Sequence, residues 1–283
     1  MKKIVLCPNV ERDTGLAVTV RVRELLKNAG YDVVVSPVYG TAEAAGLPSV
    51  PLAEALPGAA LMVTLGGDGT ILHLAPRVMS YQVPLVGVNL GHKGFLTELT
   101  RQDIDKLPEA AAGNFEIISR MMLDVEIRRK GEVIFSDTAL NEALVSGIVQ
   151  NVRLTACGDG ARILTFSGDG IILSSPTGST AYSMAAGGPL VEPDADALIL
   201  TPICAHMLAA RSFVLASERT VTVTPSDLEP DRRCIVSVDG RGMIDLKNGD
   251  IVSVRKSKYK LLTAHLGTKS FYETTFEKLG ERE

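Results

Sequence analysis

Two apolar runs without polar alternation, residues 61–65 (LMVTL) and 84–90 (PLVGVNL), constrain the fold of this chain most strongly. Runs of this kind are typical of parallel strands that are covered by helices on both faces. Parallel strands need a crossover connection, and residues 70–79 supply a helix-like run at that place. This part of the sequence therefore predicts an open α/β sheet.

The segments toward the N-terminus extend the same pattern. Residues 2–8 and 31–37 have the composition of strands. Residues 13–30 carry apolar side chains at mainly helical spacing, with Asp13 or Thr14 as the N-cap and Gly30 as the stop. Strand and helix thus alternate along the first part of the chain, and we assign residues 1–113 to an α/β domain.

From about residue 115 the pattern changes to β-rich runs separated by Gly, Asn or Asp turns. One pair of runs surrounds a turn at Lys130 and Gly131. Short strands with regularly spaced turns predict a mostly antiparallel second domain. We assign residues 114–259 to this domain, and residues 260–283 form the C-terminal tail.

The composition excludes several classes of protein. Aromatic residues make up 5% of the chain, Trp is absent and the formal net charge is −4, which argues against a basic, base-stacking nucleic-acid surface. No apolar run reaches the roughly 18 residues needed to span a membrane. Four widely spaced cysteines without metal-site spacing indicate reduced thiols in a cytoplasmic protein. We therefore expect neither a nucleic-acid nor a membrane partner.

The triplet Gly-Asp-Gly occurs three times, in different contexts. Residues 158–160 lie between two alternating strand patterns, where Asp-Gly favours a tight hairpin. Residues 67–69 follow a buried-strand pattern and precede a helix, at the edge where open α/β sheets bind ligands. Glycines there allow backbone N–H groups to hold phosphates, and Asp68 could accept a proton from an attacking hydroxyl. A simple strand-to-helix turn is the alternative.

The third copy, residues 168–170, opens the stretch SGDGIILSSPTGSTAYSMAAGGP, which is rich in small hydroxyl side chains. A short strand pattern at residues 171–173 leads into these hydroxyls, which precede a helix-compatible run. The arrangement predicts a donor-rich pocket for a base or for phosphates. A capped helix with polar residues at its start would give the same pattern.

The chain resembles the NAD kinases in six blocks that occur in the order of that family. The blocks are GGDGT (66–70), GVNLGHKGFLTEL (87–99), NEALV (141–145), DGIILSSPTGSTAYSMAAGGP (169–189), LTPICAHMLAARSFVL (200–215) and, more weakly, VDGR (238–241). GGDGT alone is similar to a motif of diacylglycerol, sphingosine and phosphofructo-kinases. Together with PTGSTAY it is highly specific.

The resemblance implies a fold and a reaction. The fold is a Rossmann-like open α/β domain, a C-terminal antiparallel β-sandwich domain, and a C-terminal tail that returns to the first domain. The reaction moves a phosphoryl group from ATP, or in some members from polyphosphate, to the 2′-hydroxyl of the adenosine ribose of NAD, giving NADP. The resemblance further implies a homodimer or homotetramer, with the nucleotide site completed across a subunit contact.

A divalent cation, by expectation Mg²⁺, would arrive with the nucleotide, because no carboxylate cluster in the sequence resembles a dedicated metal-binding site.

The resemblance also implies roles for single residues. Asp68 corresponds to the general base, Asn141 and Glu142 face the dinucleotide, and Asp169 accepts from the nicotinamide amide. The phosphate-binding positions are Gly66, Gly67, Gly69 and Thr70. Besides Asn141, Glu142 and Asp169, the dinucleotide-binding positions are Asp68, Gly69, His73, Thr177, Thr180, Ala181, Tyr182, Ser183 and Ala185.

Three positions depart from the family pattern. Lys93 stands where leucine is usual, Ser167 where many members have Arg or Lys, and Arg241 where Gln is frequent. Lys93 is most simply a solvated loop charge. The alternative is that either Lys93 or His73 supplies the positive charge that is missing at Ser167. Two rival functions also fit parts of the sequence: a lipid or sugar kinase that shares only GGDGT, and a catalytically silent dinucleotide sensor, which would not need Asp68.

Overall fold

The computed structural model describes residues 1–39, 46–91, 94–207, 209–229, 232–267 and 270–280. The chain divides into two compact units. Unit 1 consists of Met1–Ser119 and Leu261–Glu283, and unit 2 consists of Arg120–Lys260. No helix in these described ranges is both long and apolar enough to cross a membrane.

Unit 1 is built on a parallel sheet. Its elements are β1 (Lys3–Pro8), α1 (Ala17–Asn28), β2 (Asp32–Val35), α2 (Leu52–Ala55), β3 (Ala59–Gly66), α3 (Asp68–Val78), β4 (Leu85–Asn89), β5 (Leu99–Thr100), α4 (Leu107–Ala112) and α6 (Phe271–Gly280). The strands pair in parallel in the order β2-β1-β3-β4, and β5 pairs with the end of β4. The α/β sheet expected from the apolar runs is thus confirmed, and the C-terminal segment belongs to this unit as the fold prediction stated.

The start of α1 differs in detail from the prediction. The helix begins at Ala17, after a 3-10 turn at Thr14–Leu16. Asp13 nevertheless satisfies the first helical donors, because its buried carboxylate accepts from the N–H groups of Val18 (3.0 Å) and Thr19 (2.8 Å). The side chain therefore has the function of a cap although it lies before the extra turn.

Unit 2 is a pair of antiparallel sheets. Its elements, of which β6 begins and β17 ends in residues of unit 1, are β6 (Glu116–Arg129), β7 (Glu132–Ala139), β8 (Glu142–Gly147), β9 (Val152–Gly158), β10 (Ala161–Gly168), β11 (Gly170–Ser174), α5 (Tyr182–Ala185), β12 (Ala197–Ile203), β13 (Phe213–Ala216), β14 (Val221–Ser226), β15 (Cys234–Val238), β16 (Arg241–Leu246) and β17 (Ile251–His265). One sheet contains β10-β9-β14-β17 with β6 and β7, and the other has the order β13-β12-β11-β8-β15-β16.

Side chains from both sheets of unit 2 form one apolar core, which includes Leu154, Val223 and Val252 from the first sheet and Val145, Ile171 and Val236 from the second. This is the packing of a β-sandwich. Because side chains alternate along each strand, the other face of the second sheet carries Glu142 on β8, Ser174 on β11 and Thr201 on β12. This outer face is the one that matters for the site described below.

The first Gly-Asp-Gly prediction on residues 158–160 is confirmed as a hairpin. Gly158 pairs with Ala161 across the β9–β10 turn, and the two turn residues, Asp159 and Gly160, have φ of 48° and 83°. Positive φ at both positions is the geometry that Asp-Gly favours. β17 is one continuous strand from Ile251 to His265.

Candidate active site

Asp68 is the first residue of α3, directly after the buried strand β3 and the single linking residue Gly67. This strand-to-helix connection lies at the carboxyl end of a parallel strand, the edge at which open α/β sheets bind ligands. The helix N-terminus adds partial positive charge at the same place. The geometry is therefore suited to an anionic ligand beside a carboxylate.

The glycines around Asp68 have two different reasons to be glycine. A Cβ on Gly66 would lie 2.3 Å from the Thr70 hydroxyl oxygen, so this glycine is required by packing. Gly67 and Gly69 have no neighbouring atom within 4 Å of such a Cβ, and neither has positive φ. Neither protein packing nor backbone conformation therefore demands glycine there. The remaining physical reason is close approach of a ligand to the backbone.

The Asp68 carboxylate is fixed by the segment that follows β4. Its oxygens accept from the N–H groups of Phe95 (2.6 Å) and Leu96 (3.2 Å) and from the hydroxyl of Thr97 (3.4 Å). A Cβ on Gly94 would lie 1.6 Å from Asp68 Oδ1, so the backbone of residue 94 touches the carboxylate. A carboxylate offers about four acceptor positions, and three donors leave one for a substrate hydroxyl.

Two asparagines support this arrangement from neighbouring strands. Asn9, directly after β1, donates to the Thr70 hydroxyl at 3.2 Å. Asn89, the last residue of β4, donates to the Thr97 hydroxyl at 3.1 Å and accepts from Gly91 N–H at 2.8 Å. Neither asparagine was predicted from the sequence, although a polar residue at the end of an apolar run is the signal that could have identified both.

His73, predicted to bind the dinucleotide, lies on α3 in unit 1, and its ring packs against Tyr39 with ring centroids 4.5 Å apart. Burial and the nearby Glu11 raise the pKa of Tyr39, which keeps its hydroxyl neutral, although Arg77 opposes the shift.

Lys93, the other candidate for the missing positive charge, lies outside the described residues. The exposed side chain of Ser167 is at the end of β10, in unit 2.

In unit 2, Asn141 and Glu142 lie at the start of β8 with unused acceptor atoms. Asn141 Oδ1, Glu142 Oε2 and Ser174 Oγ are buried and have no hydrogen-bond partner in the described part of the chain. Burial, and secondly the charge of Asp239, raise the pKa of Glu142 to about 8. Buried polar atoms without partners are costly unless a ligand completes them, so this cluster indicates a binding site for a ligand with hydrogen-bonding groups.

Ser174 was not predicted as a site residue. It lies opposite Glu142 in the β8–β11 register, so the two side chains share the outer face of the sheet. Directly opposed residues on antiparallel strands have Cβ atoms about 5 Å apart. The sequence gives one signal for Ser174, which is its position at the end of the strand pattern of β11. Its residue type gives no signal, because serine is common in this hydroxyl-rich segment.

The hydroxyl-rich segment after β11 is held against residues 140–141. The Ser175 hydroxyl donates to Leu140 O (2.5 Å) and accepts from Gly178 N–H (3.2 Å). A Cβ on Gly178 would lie 2.3 Å from Asn141 O, so the turn and the Asn141 backbone are in direct contact. The structure thus brings Asn141, Glu142 and the turn at Thr177–Thr180 together, as the sequence blocks indicated.

Several of these hydroxyls are used inside the protein. Ser183 is fully buried and its hydroxyl bonds that of Thr201 at 3.0 Å. Thr180 donates to Thr177 O at 3.2 Å, and the hydroxyl of Thr177 accepts from the buried Arg120 at 3.5 Å. Tyr182 is 44% exposed, and Ala181 and Ala185 are not buried. The exposed members of the segment are therefore the ones that can contact a ligand directly.

Asp169 does not lie with the other predicted site residues of unit 2. It precedes β11, whereas Ser174 ends that strand, and five residues at about 3.4 Å each separate them by roughly 17 Å. Its exposed carboxylate interacts with the thiol of Cys204 and raises the pKa of that thiol. Within one chain, Asp169 and Glu142 are thus at opposite ends of the paired strands.

The described residues contain no group of three or more His, Cys, Asp and Glu side chains that could hold a metal ion. A magnesium ion bound mainly through phosphate oxygens needs only one or two protein carboxylates.

A fixed carboxylate at a glycine-rich strand-to-helix turn, together with an acceptor-lined site in the β-sandwich, defines the class of this protein as a nucleotide-dependent phosphotransferase. Comparison with known proteins identifies both halves. The family models described as the ATP-NAD kinase N-terminal domain and the ATP-NAD kinase C-terminal domain match residues 4–113 and 120–266. The chain belongs to the NAD kinase family.

Relatives match along the whole chain. An NAD kinase of Acetivibrio thermocellus is 34% identical over 285 residues, which covers 100% of this chain and 98% of the relative. An NAD kinase of Acidobacterium capsulatum is 36% identical over 289 residues and covers 100% of both chains. The match of the second half argues against the lipid- or sugar-kinase alternative, which would share only GGDGT.

Two solved structures share the fold. A yeast NADH kinase complexed with NADH has a TM-score of 0.84 and 24% identity, covering 100% of this chain and 89% of that chain. An NAD kinase from Archaeoglobus fulgidus in complex with ATP has a TM-score of 0.76 and 24% identity, covering 100% of both chains. The predicted fold class, an α/β domain followed by an antiparallel β-sandwich, is confirmed.

Proposed function

We propose that this chain transfers the terminal phosphoryl group of ATP to the 2′-hydroxyl of the adenosine ribose of NAD, which yields NADP. The observation that carries the proposal is the Asp68 carboxylate, held by three donors beside two glycines that face open space. Family membership supplies the substrates, since the relatives are NAD kinases. A silent sensor would have no use for a carboxylate held in this way.

Asp68 is the proton acceptor in this proposal. Phosphoryl transfer leaves little covalent chemistry to the protein, so positioning and electrostatic stabilisation supply most of the rate. The N–H groups of Phe95 and Leu96 fix the carboxylate, and its unused acceptor position orients the ribose hydroxyl and takes its proton. Gly67 and Gly69 admit the phosphates to the backbone, while Gly66 and Thr70 shape the turn.

The dinucleotide is bound by the acceptor cluster of unit 2. Asn141, Glu142 and Ser174 accept from ribose hydroxyls or from an exocyclic amine, which completes their buried polar atoms. The segment after β11 provides further contacts, for which we propose Thr177, Thr180, Ala181, Tyr182, Ser183 and Ala185. Ser183 acts through its backbone, because its hydroxyl is occupied by Thr201. His73 contacts the phosphates.

Magnesium is the proposed cofactor, carried on the phosphates of the donor, where it would neutralise negative charge. Water molecules would complete its coordination, because the free acceptor position of Asp68 is assigned to the ribose hydroxyl. Polyphosphate is an alternative donor, because the open glycine-rich turn recognises phosphate oxygens rather than a base.

We propose a homodimer or homotetramer in which Asp169 serves the dinucleotide bound by another copy. The distance of roughly 17 Å between Asp169 and Ser174 along β11 supports this arrangement.

A cytoplasmic location is also proposed. It is supported by the free thiols of Cys7, Cys157, Cys204 and Cys234, a state that a reducing compartment maintains.

The experiment that tests the function is the formation of NADP from NAD and of NADPH from NADH, each with ATP, with polyphosphate and without a donor, in the presence and absence of Mg²⁺. NADP formed only with a donor and Mg²⁺ is the expected result, and the two donors show which one this chain uses. Binding of NAD in calorimetry without NADP formation under any condition would refute the proposal and favour the sensor.

A further inference from the structure

A second Asp-Gly hairpin contacts the proposed dinucleotide site. Val238 pairs with Arg241 across the β15–β16 turn, and the turn residues Asp239 and Gly240 have φ of 47° and 71°. The Asp239 side chain is completely buried, in contrast to an ordinary turn aspartate. Its carboxylate must therefore have a use that justifies removing it from water.

That carboxylate accepts three backbone hydrogen bonds from consecutive residues. The N–H group of Leu140 donates to Oδ2 at 2.7 Å, and those of Asn141 and Glu142 donate to Oδ1 at 2.9 Å each. Asp239 N–H in turn donates to Glu142 O at 3.0 Å. The segment that carries the two dinucleotide-binding side chains is thus fixed at four backbone groups by one turn residue.

Arg241 completes the contact from the same hairpin. Its guanidinium lies 3.4 Å from Asp239 Oδ2 and 3.0 Å from Asp137 Oδ2, and it also donates to Thr138 O at 2.7 Å. Only Ala139 separates Asp137 and Thr138 from the segment that Asp239 holds. The positive charge therefore compensates two carboxylates and fixes the chain just before Leu140.

The β9–β10 hairpin shows what an Asp-Gly turn of the same geometry does elsewhere. Asp159 has φ of 48°, accepts from Thr220 N–H at 2.9 Å and pairs with Arg219 at 2.7 Å. Its side chain is 45% exposed. A two-residue turn and an arginine partner therefore do not require a buried carboxylate or a cluster of three donors. The burial of Asp239 is specific to the segment at the start of β8.

We propose that Asp239, whose negative charge is compensated by Arg241, is a positioning residue for dinucleotide binding. It fixes the backbone of residues 140–142, so that the unpaired acceptor atoms of the Asn141 and Glu142 side chains are held in position to bind the ligand. The inference rests on the proposed function of those two side chains. It gives Arg241 a role in supporting the site and not in contacting the ligand. The proposal thereby gives a function to two residues of the VDGR block, Asp239 and Arg241.

The test compares Asp239→Asn with Asp159→Asn in the full chain. In Asp239→Asn the amide can no longer accept from Leu140, Asn141 and Glu142 together, because its NH₂ group must face one of the donors. Hydrogen exchange of the amides at 140–142 in the unliganded protein is expected to accelerate by about tenfold or more. The KM for NAD is expected to rise by about tenfold, while the KM for ATP stays within about twofold.

Asp159→Asn is expected to accelerate exchange only near Thr220 and to leave both KM values unchanged. Faster exchange at 140–142 without a change in the KM for NAD would overturn the proposal. A parallel rise of both KM values would also overturn it, because it would indicate general loosening. If Asp239→Asn does not fold, Arg241→Gln carries the test, with a smaller effect of the same direction expected and unchanged exchange and KM overturning the proposal.

Failure of the proposed function would be visible separately, because wild-type protein would then form no NADP. In that case the exchange measurement still applies, and the dissociation constant for NAD from calorimetry replaces the KM. An equal dissociation constant in wild type and Asp239→Asn would refute the positioning role without reference to catalysis.

Discussion

Gly94→Ala should damage catalysis more than any other one-carbon change near Asp68. The added Cβ would lie 1.6 Å from Asp68 Oδ1, 2.2 Å from Cγ and 2.6 Å from Oδ2. Ordinary van der Waals contact begins at 3.4 Å. The carboxylate or the segment at residues 94–97 must therefore move by about 1.5 Å or more. Such a shift also breaks the hydrogen bonds from Phe95 and Leu96.

The expected loss follows from that displacement. Misplacement of a reacting group by about 1 Å can cost roughly a hundredfold in rate, so kcat should fall by about 10² or more. Hydrogen bonds to a charged group contribute about 1.5–3 kcal/mol each, so a lower free energy of unfolding should accompany the loss of kcat. The dissociation constant for NAD should change little, because Asn141 and Glu142 belong to unit 2.

The assay is steady-state NADP formation combined with calorimetric NAD binding. Gly91→Ala is the matched control, because the nearest atom to its added Cβ is Asn89 Oδ1 at 3.9 Å, an ordinary contact. It should retain kcat within about twofold of wild type. If Gly94→Ala keeps wild-type kcat, or loses rate no more than Gly91→Ala, the close contact with Asp68 has no catalytic meaning and the reasoning fails.

Three further changes test other parts of the account. Gly69→Ala should stabilise the protein by up to about 1 kcal/mol, since alanine loses less entropy in a helix, but should raise the KM for ATP by filling the space proposed for phosphates; an unchanged KM would contradict that use. Glu142 has a folded-state pKa of about 8 against an ordinary value of 4.5, so the folded protein retains a proton that the unfolded chain releases and loses stability as pH rises between these values. The free energy of unfolding of Glu142→Gln relative to wild type should therefore increase by a few kcal/mol from about pH 5 to pH 8 and level off above, and the difference in Tm should follow it. A difference that is constant with pH would refute the assignment. Lys278 on α6 lies 4.0 Å over the Phe95 ring, so Lys278→Met should lower the Tm by about 1–3 °C while Lys278→Arg retains it; equal Tm values in all three proteins would exclude this contribution of α6.

The α/β unit could be predicted from sequence because its signals are local and agree with one another. Apolar runs without alternation lie on β3 and β4, and both strands are buried in a parallel sheet. The hairpin at Asp159 was equally predictable from the sequence, because Asp-Gly between alternating strands favours positive φ at both turn positions.

The part of the site that lies within one motif was also predictable. GGDGT placed Asp68 at a strand-to-helix turn, and NE together with PTGSTAY indicated residues that prove to be in contact. Two supporting residues, Gly94 and Asp239, were not predictable. They act across chain separations of 26 and of 97 residues or more, and no periodic pattern in the sequence indicates contacts over such distances. Gly94 in particular looks like an ordinary loop glycine until the position of the Asp68 carboxylate is known.

The central claim is that Asp68 accepts the proton of the ribose hydroxyl, and the most direct test is kcat of Asp68→Asn beside NAD binding by calorimetry. Asp105→Asn, a change at an exposed carboxylate of the same unit, is the control and should behave as wild type. Asp68→Asn should lower kcat by at least about 10², with NAD binding retained. A variant that still forms NADP within about tenfold of the wild-type rate would contradict the account, because an amide cannot take up that proton.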